Sequence, residues 1–271
     1  MKPGISSYTF IHNAITYDYP ILESVESILP AVDQHILCEC DSDDGTIELC
    51  QKLADKYPKI KLIHMPWGTH YTIQSNLANY CMKKADFEWT LKLDADEVLH
   101  DDSIEDVKSI TLLKDFNLAT MHYTHFMANY ETEFDFCYRR VPRIARQGKG
   151  WTWDGDACQL INGEGPVFDS NIEIFHYGKV HEGKVGFKKE WDFQHMYTDL
   201  GFPDKRMLEM KEKLGEEYCD YLYLFEETIK AGNKVRHFTG THPLVMKERI
   251  ANFKEGGWEQ FMSKMKEGLK V

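Results

Sequence analysis

The sequence lacks the features of membrane-spanning and disulfide-stabilised proteins. No segment approaches about eighteen consecutive apolar residues, so no membrane-spanning helix is predicted. The seven cysteines are odd in number and include no Cys-x-x-Cys pair, which argues against a disulfide framework and against a zinc ribbon. The start of the chain has no apolar stretch of the kind found in signal peptides. We therefore expect a cytoplasmic protein whose membrane contact is at most peripheral.

Positive charge is also scarce in this chain. Its 32 lysines and arginines are outnumbered by 44 aspartates and glutamates, which gives a formal net charge of −12. Because proteins bind nucleic acid largely through Lys and Arg, we expect no nucleic-acid partner. A phosphorylated small ligand is still compatible with this charge, since a divalent cation can supply positive charge. With 42% hydrophobic residues, the 271-residue chain can bury a large core.

The common nucleotide and calcium motifs are absent as well. No Gly-x-x-x-x-Gly-Lys-[Ser/Thr] or Gly-x-Gly-x-x-Gly pattern occurs, so neither a Walker nor a Rossmann nucleotide site is predicted. An EF-hand needs acidic residues at the first and third positions of its loop and glycine at the sixth. Counted back from Gly45, those two positions are Cys40 and Ser42. The acidic residues of this chain therefore need another explanation.

The first 125 residues contain a regular alternation of strand-like and helix-like segments. Apolar runs typical of strands are separated by amphipathic segments of helical length, which is the pattern of βαβ units. Right-handed connections bring the carboxyl ends of such strands to one edge of the sheet. We predict an α/β fold with a mainly parallel central sheet flanked by helices. The predicted strands are 5–11, 34–39, 59–65, 87–94 and 118–126, and the predicted helices are 20–29, 43–57, 73–85 and 102–114.

Beyond this region the pattern changes twice. From 126 to 183 it is irregular and rich in aromatic residues, glycine and arginine. From residue 184 onward it favours helices, and no internal repeat or low-complexity linker separates the parts. We therefore predict an α/β domain over 1–183 and a helical C-terminal extension over 184–271 that packs on it. The predicted helices of the extension are 184–198, 205–214, 216–231 and 243–267.

Two acidic runs follow predicted strands, "ECDSDDG" (39–45) and "DADE" (94–97). Since the strands share one edge, we expect both runs to face the same crevice, where ligands of open α/β sheets bind. Of the two aspartates in the second run, Asp94 and Asp96, one can bond a ribose hydroxyl while the other binds Mn²⁺ or Mg²⁺. A solvated surface turn is the alternative, and the residues alone leave both interpretations open.

The segment "FIHNAITYDYPILESVESILPAVDQHILCECDSDDGT" (10–46) resembles the opening of family 2 glycosyltransferases with the GT-A fold. The resemblance consists of the asparagine after the first strand, Asn13, and of the Ser-x-Asp-Gly-Thr pattern that begins at Ser42. Two positions depart from the family pattern. Ala14 replaces the usual acid, and Glu39 replaces the usual aspartate that bonds the nucleotide base.

Further motifs extend the resemblance to roughly residues 5–200. It implies a nucleotide-sugar half at about 1–100 and an acceptor half at about 101–183. The QxxRW motif of the processive polymerases is absent. The motifs that are similar to a non-processive subgroup are "LDADE" (93–97), "YRRVPRI" (138–144), "WDGDACQ" (153–159) and "IFHYGKVHEGKVGFKKE" (174–190).

The resemblance implies transfer of a sugar from a nucleotide-diphosphate sugar to a hydroxyl of a glycan or glycolipid, with inversion. A UDP-sugar is the expected donor because such donors are the most frequent in the family. Mn²⁺ or Mg²⁺ would stabilise the departing diphosphate. The expected metal ligands are Asp94, Asp96 and His176, with His181 as the alternative histidine.

An inverting mechanism needs a base that takes the proton of the acceptor hydroxyl. The resemblance implies Asp156 for this role, with Asp154 as the alternative, although either residue is also compatible with a solvated turn. The neighbouring Trp151 and Trp153 are expected either to stack on a sugar or to belong to the core.

Other residues are expected around the donor. Glu97 is either a carboxylate that supports the metal ligands or a charge at a helix N-terminus. Asp44 is compatible with an ordinary helix N-cap. Arg140 is the alternative to Arg143 as a partner of the diphosphate. The residues expected to bind the nucleotide-sugar are Phe10, Asn13, Glu39, Asp44, Asp94 and Arg143.

Two other functions are compatible with parts of this pattern. A nucleotidyltransferase of related fold normally carries a loop rich in glycine and arginine, with a lysine, after its first strand. Here "IHNAITYDY" contains none of these three residue types. A non-catalytic sugar-binding or nucleotide-binding module is favoured by Ala14 and opposed by the Asp94–Asp96 pair. Release of nucleoside diphosphate, formation of pyrophosphate, or neither would distinguish the three functions.

Overall fold

A large central sheet with flanking helices dominates the computed structural model, which describes residues 1–113, 115–135, 138–196, 205–216 and 219–268. From one edge to the other, the main sheet contains β12 (Val235–His237), β7 (Thr132–Phe134), β6 (Leu118–Met127), β8 (Arg140–Arg146), β4 (Phe87–Lys92), β1 (Lys2–Ile11), β2 (Gln34–Glu39) and β3 (Ile60–His64). A further strand, β11 (Val167–Lys179), pairs with both β6 and β5 (Glu97–Leu99), and a separate hairpin joins β9 (Thr152–Asp154) to β10 (Gln159–Ile161). The predicted α/β fold class is confirmed.

The first 92 residues alternate between strands and helices as the sequence predicts. The order β3–β2–β1–β4 is entirely parallel. Most of β1 is buried, as expected for a central strand that is covered on both faces. The strands are β1 (Lys2–Ile11), β2 (Gln34–Glu39), β3 (Ile60–His64) and β4 (Phe87–Lys92), and the helices are α1 (Ile21–Ile28), α2 (Thr46–Lys56) and α3 (Ile73–Lys83).

The middle of the chain contains more strands than its sequence indicates. A short strand, β5 (Glu97–Leu99), precedes helix α4 (Ile104–Ile110) and pairs antiparallel with β11. The region 126–183, predicted to be irregular, is mostly strand. The alternation of apolar and polar residues that indicates a strand is obscured in β8, which contains three arginines and a proline. β8 nevertheless pairs antiparallel with both β4 and β6. The strands are β6 (Leu118–Met127), β7 (Thr132–Phe134), β8 (Arg140–Arg146), β9 (Thr152–Asp154), β10 (Gln159–Ile161) and β11 (Val167–Lys179).

Among the described residues from 185 to 268, the elements are helices except for one short strand. The predicted helix 243–267 is wrong as a continuous element, because the chain leaves the helical conformation between Asn252 and Trp258, where two consecutive glycines occur. Residues 197–198 and 217–218 of the predicted helices lie outside the described residues. The elements are α5 (Val185–Met196), α6 (Lys205–Leu214), α7 (Cys219–Lys230), β12 (Val235–His237), α8 (Lys247–Asn252) and α9 (Trp258–Gly268).

The C-terminal helices pack on the end of the sheet through a shared apolar cluster. Phe187 of α5, Phe225 of α7 and Phe261 of α9 belong to one buried cluster together with Met127 of β6 and Phe134 of β7. Burial of this apolar area stabilises the contact by roughly 25 cal/mol per Å². None of the described helices is long and apolar enough to cross a membrane. The boundary at 183 stays a prediction.

Candidate active site

A cavity of about 880 Å³ lies at the carboxyl ends of β1 and β4. Strands from both parts of the sheet and helix α5 contribute to its wall. Its size falls within the range of small-molecule sites in proteins. Its lining residues include Phe10, His12, Trp67, Asp94, Asp96, Glu97, Arg143, Asp156, His176, Gly178 and Lys189.

The "DADE" run is not a solvated turn. The Leu93 amide donates to the Tyr8 carbonyl, and the Asp94 amide donates to Glu97 Oε2 at 3.0 Å, so the run folds back on itself. The side-chain exposures of Asp94, Asp96 and Glu97 are 27%, 15% and 1%. Three carboxylates are therefore largely withdrawn from water, and each requires a positively charged partner.

Asp94 is paired with two cations of the chain. Lys92 Nζ donates to its carboxylate at 2.5 Å, and Arg143 Nη2 donates at 3.2 Å. Burial alone would raise the pKa of Asp94, but the charges of Lys92 and Arg143 outweigh it and lower the pKa below its usual value. Asp94 is therefore an ionised carboxylate at the wall of the cavity.

Glu97 forms a buried two-point pair with Arg143. Arg143 Nη2 lies 2.5 Å from Glu97 Oε1, and Arg143 Nε lies 3.2 Å from Glu97 Oε2. Burial raises the pKa of Glu97 to about 7, although Arg143 opposes this effect. The interpretation of Glu97 as a helix N-terminal charge is wrong, because Glu97 begins strand β5 and its side chain holds both Arg143 and the Asp94 amide.

Asp96 faces Lys189 and His176. Lys189 Nζ donates to Asp96 Oδ2 at 3.1 Å, and His176 Nε2 lies 3.7 Å from the same oxygen. Burial would raise the pKa of Asp96, but the charge of Lys189 lowers it well below its usual range. Burial also lowers the pKa of Lys189, whose Nζ lies 4.4 Å from the ring centroid of Tyr19.

Gly178 leaves space beside the Asp96 and His176 side chains. A Cβ at this position would lie 2.6 Å from Asp96 Oδ2 and 2.6 Å from His176 Nε2. Two atoms that each bind one cation at about 2.1 Å lie at most about 4 Å apart. The distance of 3.7 Å between Asp96 Oδ2 and His176 Nε2 is within this limit. No group of three or more His, Cys, Asp or Glu side chains suited to a metal occurs in the described ranges. The donors fit a cation that takes its remaining ligands from phosphate oxygens and water.

His176 and His181 lie in different surroundings. His176 Nδ1 lies 3.1 Å from Nδ1 of His125, and His125 Nε2 lies 3.1 Å from the Tyr138 carbonyl oxygen. Burial lowers the pKa of His176 and lowers that of His125 to about 3, so both rings are neutral. His181 is buried, with Nε2 bound to the Gly178 carbonyl. It does not line the cavity in the described part of the chain.

Of the two candidate bases, Asp156 lines the cavity. It lies in the turn between β9 and β10, where Gly155 and Ala157 both have positive φ. The Cys158 amide donates to Asp156 Oδ1 at 3.1 Å. Asp154 is exposed at the end of β9 and is not among the described lining residues. The catalytic role of either residue stays a prediction.

The residues predicted to bind the donor divide into two groups. Phe10, Asp94 and Arg143 line the cavity. Asn13, Glu39 and Asp44 do not line it within the ranges that the structure describes. The binding of a nucleotide-sugar by any of them stays a prediction.

The second group supports the loops after β1 and β2. Asn13 Oδ1 accepts from the Asp43 amide at 3.0 Å. Glu39 is buried and accepts from the Ser42 amide at 2.7 Å. Asp44 accepts from the Thr46 amide at 3.0 Å, but the N-cap residue of α2 is Gly45, so the interpretation of Asp44 as an ordinary N-cap is wrong.

The remaining candidates are not among the described lining residues of the cavity. Arg140 donates to the Ser170 carbonyl at 2.6 Å and to His122 at 2.8 Å. Trp153 is buried and donates from Nε1 to the Tyr8 hydroxyl at 2.5 Å, so its interpretation as a core aromatic residue is confirmed. The Trp151 ring covers Gly163, where a Cβ would lie 1.9 Å from it.

Several residues of the site were not predicted from the sequence. Lys189 and His125 approach from α5 and β6, and Lys92 precedes the acidic run. His12 stacks on Trp67 at the cavity wall, with ring centroids 4.8 Å apart. A signal for Lys92 was available in "LKLD", because a lysine in a buried strand beside a carboxylate indicates an ion pair.

The sequence comparison identifies the enzyme class. Residues 11–117 match the family model described as Glycosyl transferase family 2. This range contains the first parallel strands and the whole "DADE" run. The match confirms the predicted class, a glycosyltransferase. No curated protein sequence matches the chain.

Solved structures that resemble the chain do so distantly. S. aureus TarS 1–349 is 13% identical over 85% of this chain and 81% of that chain, with a TM-score of 0.47. The mannosyltransferase PcManGT from Pyrobaculum calidifontis, in complex with GDP-Man and Mn²⁺, is 10% identical over 100% and 87%, with a TM-score of 0.45. A 4-diphosphocytidyl-2C-methyl-D-erythritol synthase from Anaerococcus prevotii is 11% identical over 70% and 96%, with a TM-score of 0.41. Likenesses at this level support no assignment of activity.

Proposed function

We propose that the protein is a metal-dependent, inverting glycosyltransferase that moves a sugar from a nucleotide-diphosphate sugar to an acceptor hydroxyl. The observation that carries the proposal is the convergence of Asp96, His176 and the space left by Gly178 in one cavity. The carboxylate belongs to the segment that matches the glycosyltransferase model. A deep cavity with ionised carboxylates and buried cations suits a charged donor.

On the donor side, the reaction requires stabilisation of the departing diphosphate. When bound at Asp96 and His176, Mn²⁺ or Mg²⁺ supplies Lewis-acid stabilisation of the negative charge that develops on the diphosphate. Lys189 and Arg143 hold positive charge at the same wall. Because these groups are fixed by ion pairs before the donor binds, little reorganisation is needed during the reaction.

On the acceptor side, the reaction requires a base on the opposite face of the donor sugar. Asp156 is the proposed base because its carboxylate lies at the cavity wall in a tight turn. It would accept the proton of the attacking hydroxyl, which belongs to a glycan or glycolipid. The expected donor is a UDP-sugar, and the expected setting is cytoplasmic with at most peripheral membrane contact.

Product analysis tests this function directly. The protein is incubated with Mn²⁺ and with UDP-, GDP- or dTDP-sugars, with and without oligosaccharide or glycolipid acceptors. Acceptor-dependent release of nucleoside diphosphate from one donor supports the proposal. Formation of pyrophosphate from a nucleoside triphosphate and a sugar phosphate would instead identify a nucleotidyltransferase. Binding without turnover would identify a non-catalytic module.

The base assignment is tested by a matched pair of variants. Asp156→Asn is expected to lower the rate of transfer by about 100-fold or more while leaving donor affinity unchanged. Asp154→Asn, two residues away on the exposed side of the turn, is the control and keeps the wild-type rate. Near-normal turnover by Asp156→Asn would remove this residue as the base.

A further inference from the structure

We propose that His125 is a positioning residue that holds His176 in the tautomer whose Nε2 carries no hydrogen and faces Asp96. This inference deepens the proposed function, since it explains how an imidazole at this position is ready to bind a cation. It assigns a role to a histidine that is not among the described lining residues of the cavity.

The two histidines are neighbours across a parallel strand pair. His125 of β6 and His176 of β11 are partners in the register of these strands. Their Nδ1 atoms are 3.1 Å apart, which is a hydrogen-bond distance between ring nitrogens. The second nitrogen of His125, Nε2, is 3.1 Å from the carbonyl oxygen of Tyr138. Each ring is therefore oriented by a contact outside the cavity.

The carbonyl determines where the hydrogens lie. A carbonyl oxygen only accepts, so His125 Nε2 must carry a hydrogen. Because His125 is only 4% exposed, its ring is neutral, and its Nδ1 is an acceptor. The hydrogen between the two Nδ1 atoms then belongs to His176. The neutral His176 ring has its remaining lone pair on Nε2.

The opposite tautomer of His176 is disfavoured by the same contacts. With its hydrogen on Nε2, His176 would direct an Nδ1 lone pair at the Nδ1 lone pair of His125, across 3.1 Å. Two acceptors at this distance in a buried site lose a hydrogen bond and repel each other. The chain Tyr138–His125–His176 therefore favours one tautomer.

The favoured tautomer places two acceptors face to face. His176 Nε2 and Asp96 Oδ2 are 3.7 Å apart, and Gly178 adds no side chain between them. Such a pair is stable only beside positive charge, part of which Lys189 supplies to the Asp96 oxygen. A metal-binding histidine is commonly fixed in this way, by a hydrogen bond from its other nitrogen.

The tautomer is measured directly by long-range ¹H–¹⁵N correlation spectra of the ¹⁵N-labelled full chain, without metal or sugar. Signals of His176 are assigned by their loss in His176→Gln. The expected result is a hydrogen on Nδ1 and none on Nε2 in the wild type. In His125→Phe, which removes the acceptor, a mixture or the opposite tautomer is expected. A wild-type His176 with its hydrogen on Nε2, or an unchanged tautomer in His125→Phe, would overturn the proposal.

Two further variants separate positioning from general stability. His122→Phe is the matched control, because it removes another histidine contact of the same strand, the one to Arg140. It is expected to leave the His176 tautomer unchanged. His125→Asn keeps an acceptor oxygen near the Nδ1 position and is expected to restore the wild-type tautomer. If His125→Phe fails to fold, a wild-type tautomer in His125→Asn still supports the proposal, and the opposite tautomer contradicts it.

The consequence for the cation is measured by the binding of Mn²⁺ in the presence of UDP. Loss of such a supporting hydrogen bond typically lowers metal affinity by about 10–100-fold, and this loss is expected in His125→Phe but not in His122→Phe. Equal affinity in the wild type and His125→Phe would contradict the positioning role. Because the tautomer is observed without ligand, failure of this inference and failure of the proposed function are distinguishable.

Discussion

The described chain divides into a first half, which extends to the end of α4 (residues 1–110), and a second half, which begins at β6 (residue 118). The two halves contribute different chemistry to the same cavity. The first half supplies Asp94, Asp96 and Glu97 from one short run, together with Lys92. The second half supplies the residues that face them, Arg143 from β8, His176 from β11 and Lys189 from α5.

The halves also differ in the way they fold. The first is a parallel sheet with regular crossovers, whereas the second enters the sheet through antiparallel pairs of β8 and through β11. The carboxylates are therefore presented by a regular scaffold, and their partners are brought in from distant positions. The difference indicates that the charge balance of the site exists only when both halves are assembled.

The largest expected effect comes from breaking the buried pair that joins the halves. Arg143→Met leaves Glu97, whose side chain is 1% exposed, without its partner. Loss of one member of such a pair costs about 3–5 kcal/mol of the free energy of unfolding. Urea unfolding at pH 8, above the pKa of about 7 for Glu97, measures this loss.

The matched control is a more exposed arginine on the same strand. Arg146 pairs with Glu88, and their side chains are 35% and 32% exposed. Arg146→Met is expected to cost at most about 1 kcal/mol. Equal losses in the two variants would contradict a special contribution of the Arg143–Glu97 pair. The double variant Glu97→Met with Arg143→Met is expected to recover part of the stability, because it removes both buried charges.

A smaller effect is expected when the space between the halves is filled. In Gly178→Ala the added methyl group would lie 2.6 Å from Asp96 Oδ2 and from His176 Nε2, so one of these side chains must move. We expect affinity for Mn²⁺ in the presence of UDP to fall by about 10–100-fold, although both side chains are retained. Gly68→Ala is the control, since the three atoms nearest to its methyl group all belong to the Ile73 side chain. Unchanged Mn²⁺ affinity in Gly178→Ala would show that the cation lies elsewhere.

The smallest expected effect concerns a property that the halves share. Burial lowers the pKa of His35 in β2 and of His125 in β6 to about 3, against 6.5 for a free histidine. The unfolded chain then binds more protons than the folded chain between pH 3 and 6.5. The stability that depends on these neutral rings is present above pH 6.5 and is lost as the pH falls. At pH 5 each of these two histidines lowers the free energy of unfolding by about 2 kcal/mol relative to its value above pH 6.5.

Unfolding by urea at pH 7 and pH 5 checks this expectation in His35→Leu. This variant is expected to lose about 2 kcal/mol less than the wild type between the two pH values. His70→Leu, at an exposed position, is the control and is expected to keep the wild-type loss. An identical pH dependence in His35→Leu and the wild type would mean that His35 is protonated in the folded chain.

The first half was predictable because its physical signals are local. Apolar runs and amphipathic helices alternate, and β1, β2, β3 and β4 lie within about three residues of their predicted bounds. The carboxylates of the site follow the fourth strand directly, so their place at the sheet edge follows from the topology. The class of enzyme was also predictable, because its motifs occur within this regular segment.

The second half was less predictable because its signals are not local. Arg143 lies in a strand whose charged residues and proline conceal the alternation. His125 falls within a predicted strand, but nothing in the sequence pairs it with a residue 51 positions away. Lys189 lies in a helix that is only weakly amphipathic, so its direction could not be inferred. These contacts depend on the tertiary packing of β8, β11 and α5.

The central claim is a cation site for a diphosphate made by both halves, and thermal unfolding with nucleotides tests it most directly. UDP, GDP and dTDP are each added with and without Mn²⁺ to the wild type, to Asp96→Asn and to the exposed control Asp102→Asn, whose side chain is 91% exposed. We predict that one nucleotide raises the unfolding temperature only with Mn²⁺, in the wild type and the control but not in Asp96→Asn. Stabilisation that is equal without Mn²⁺ or in Asp96→Asn, or the absence of any shift, would contradict the claim.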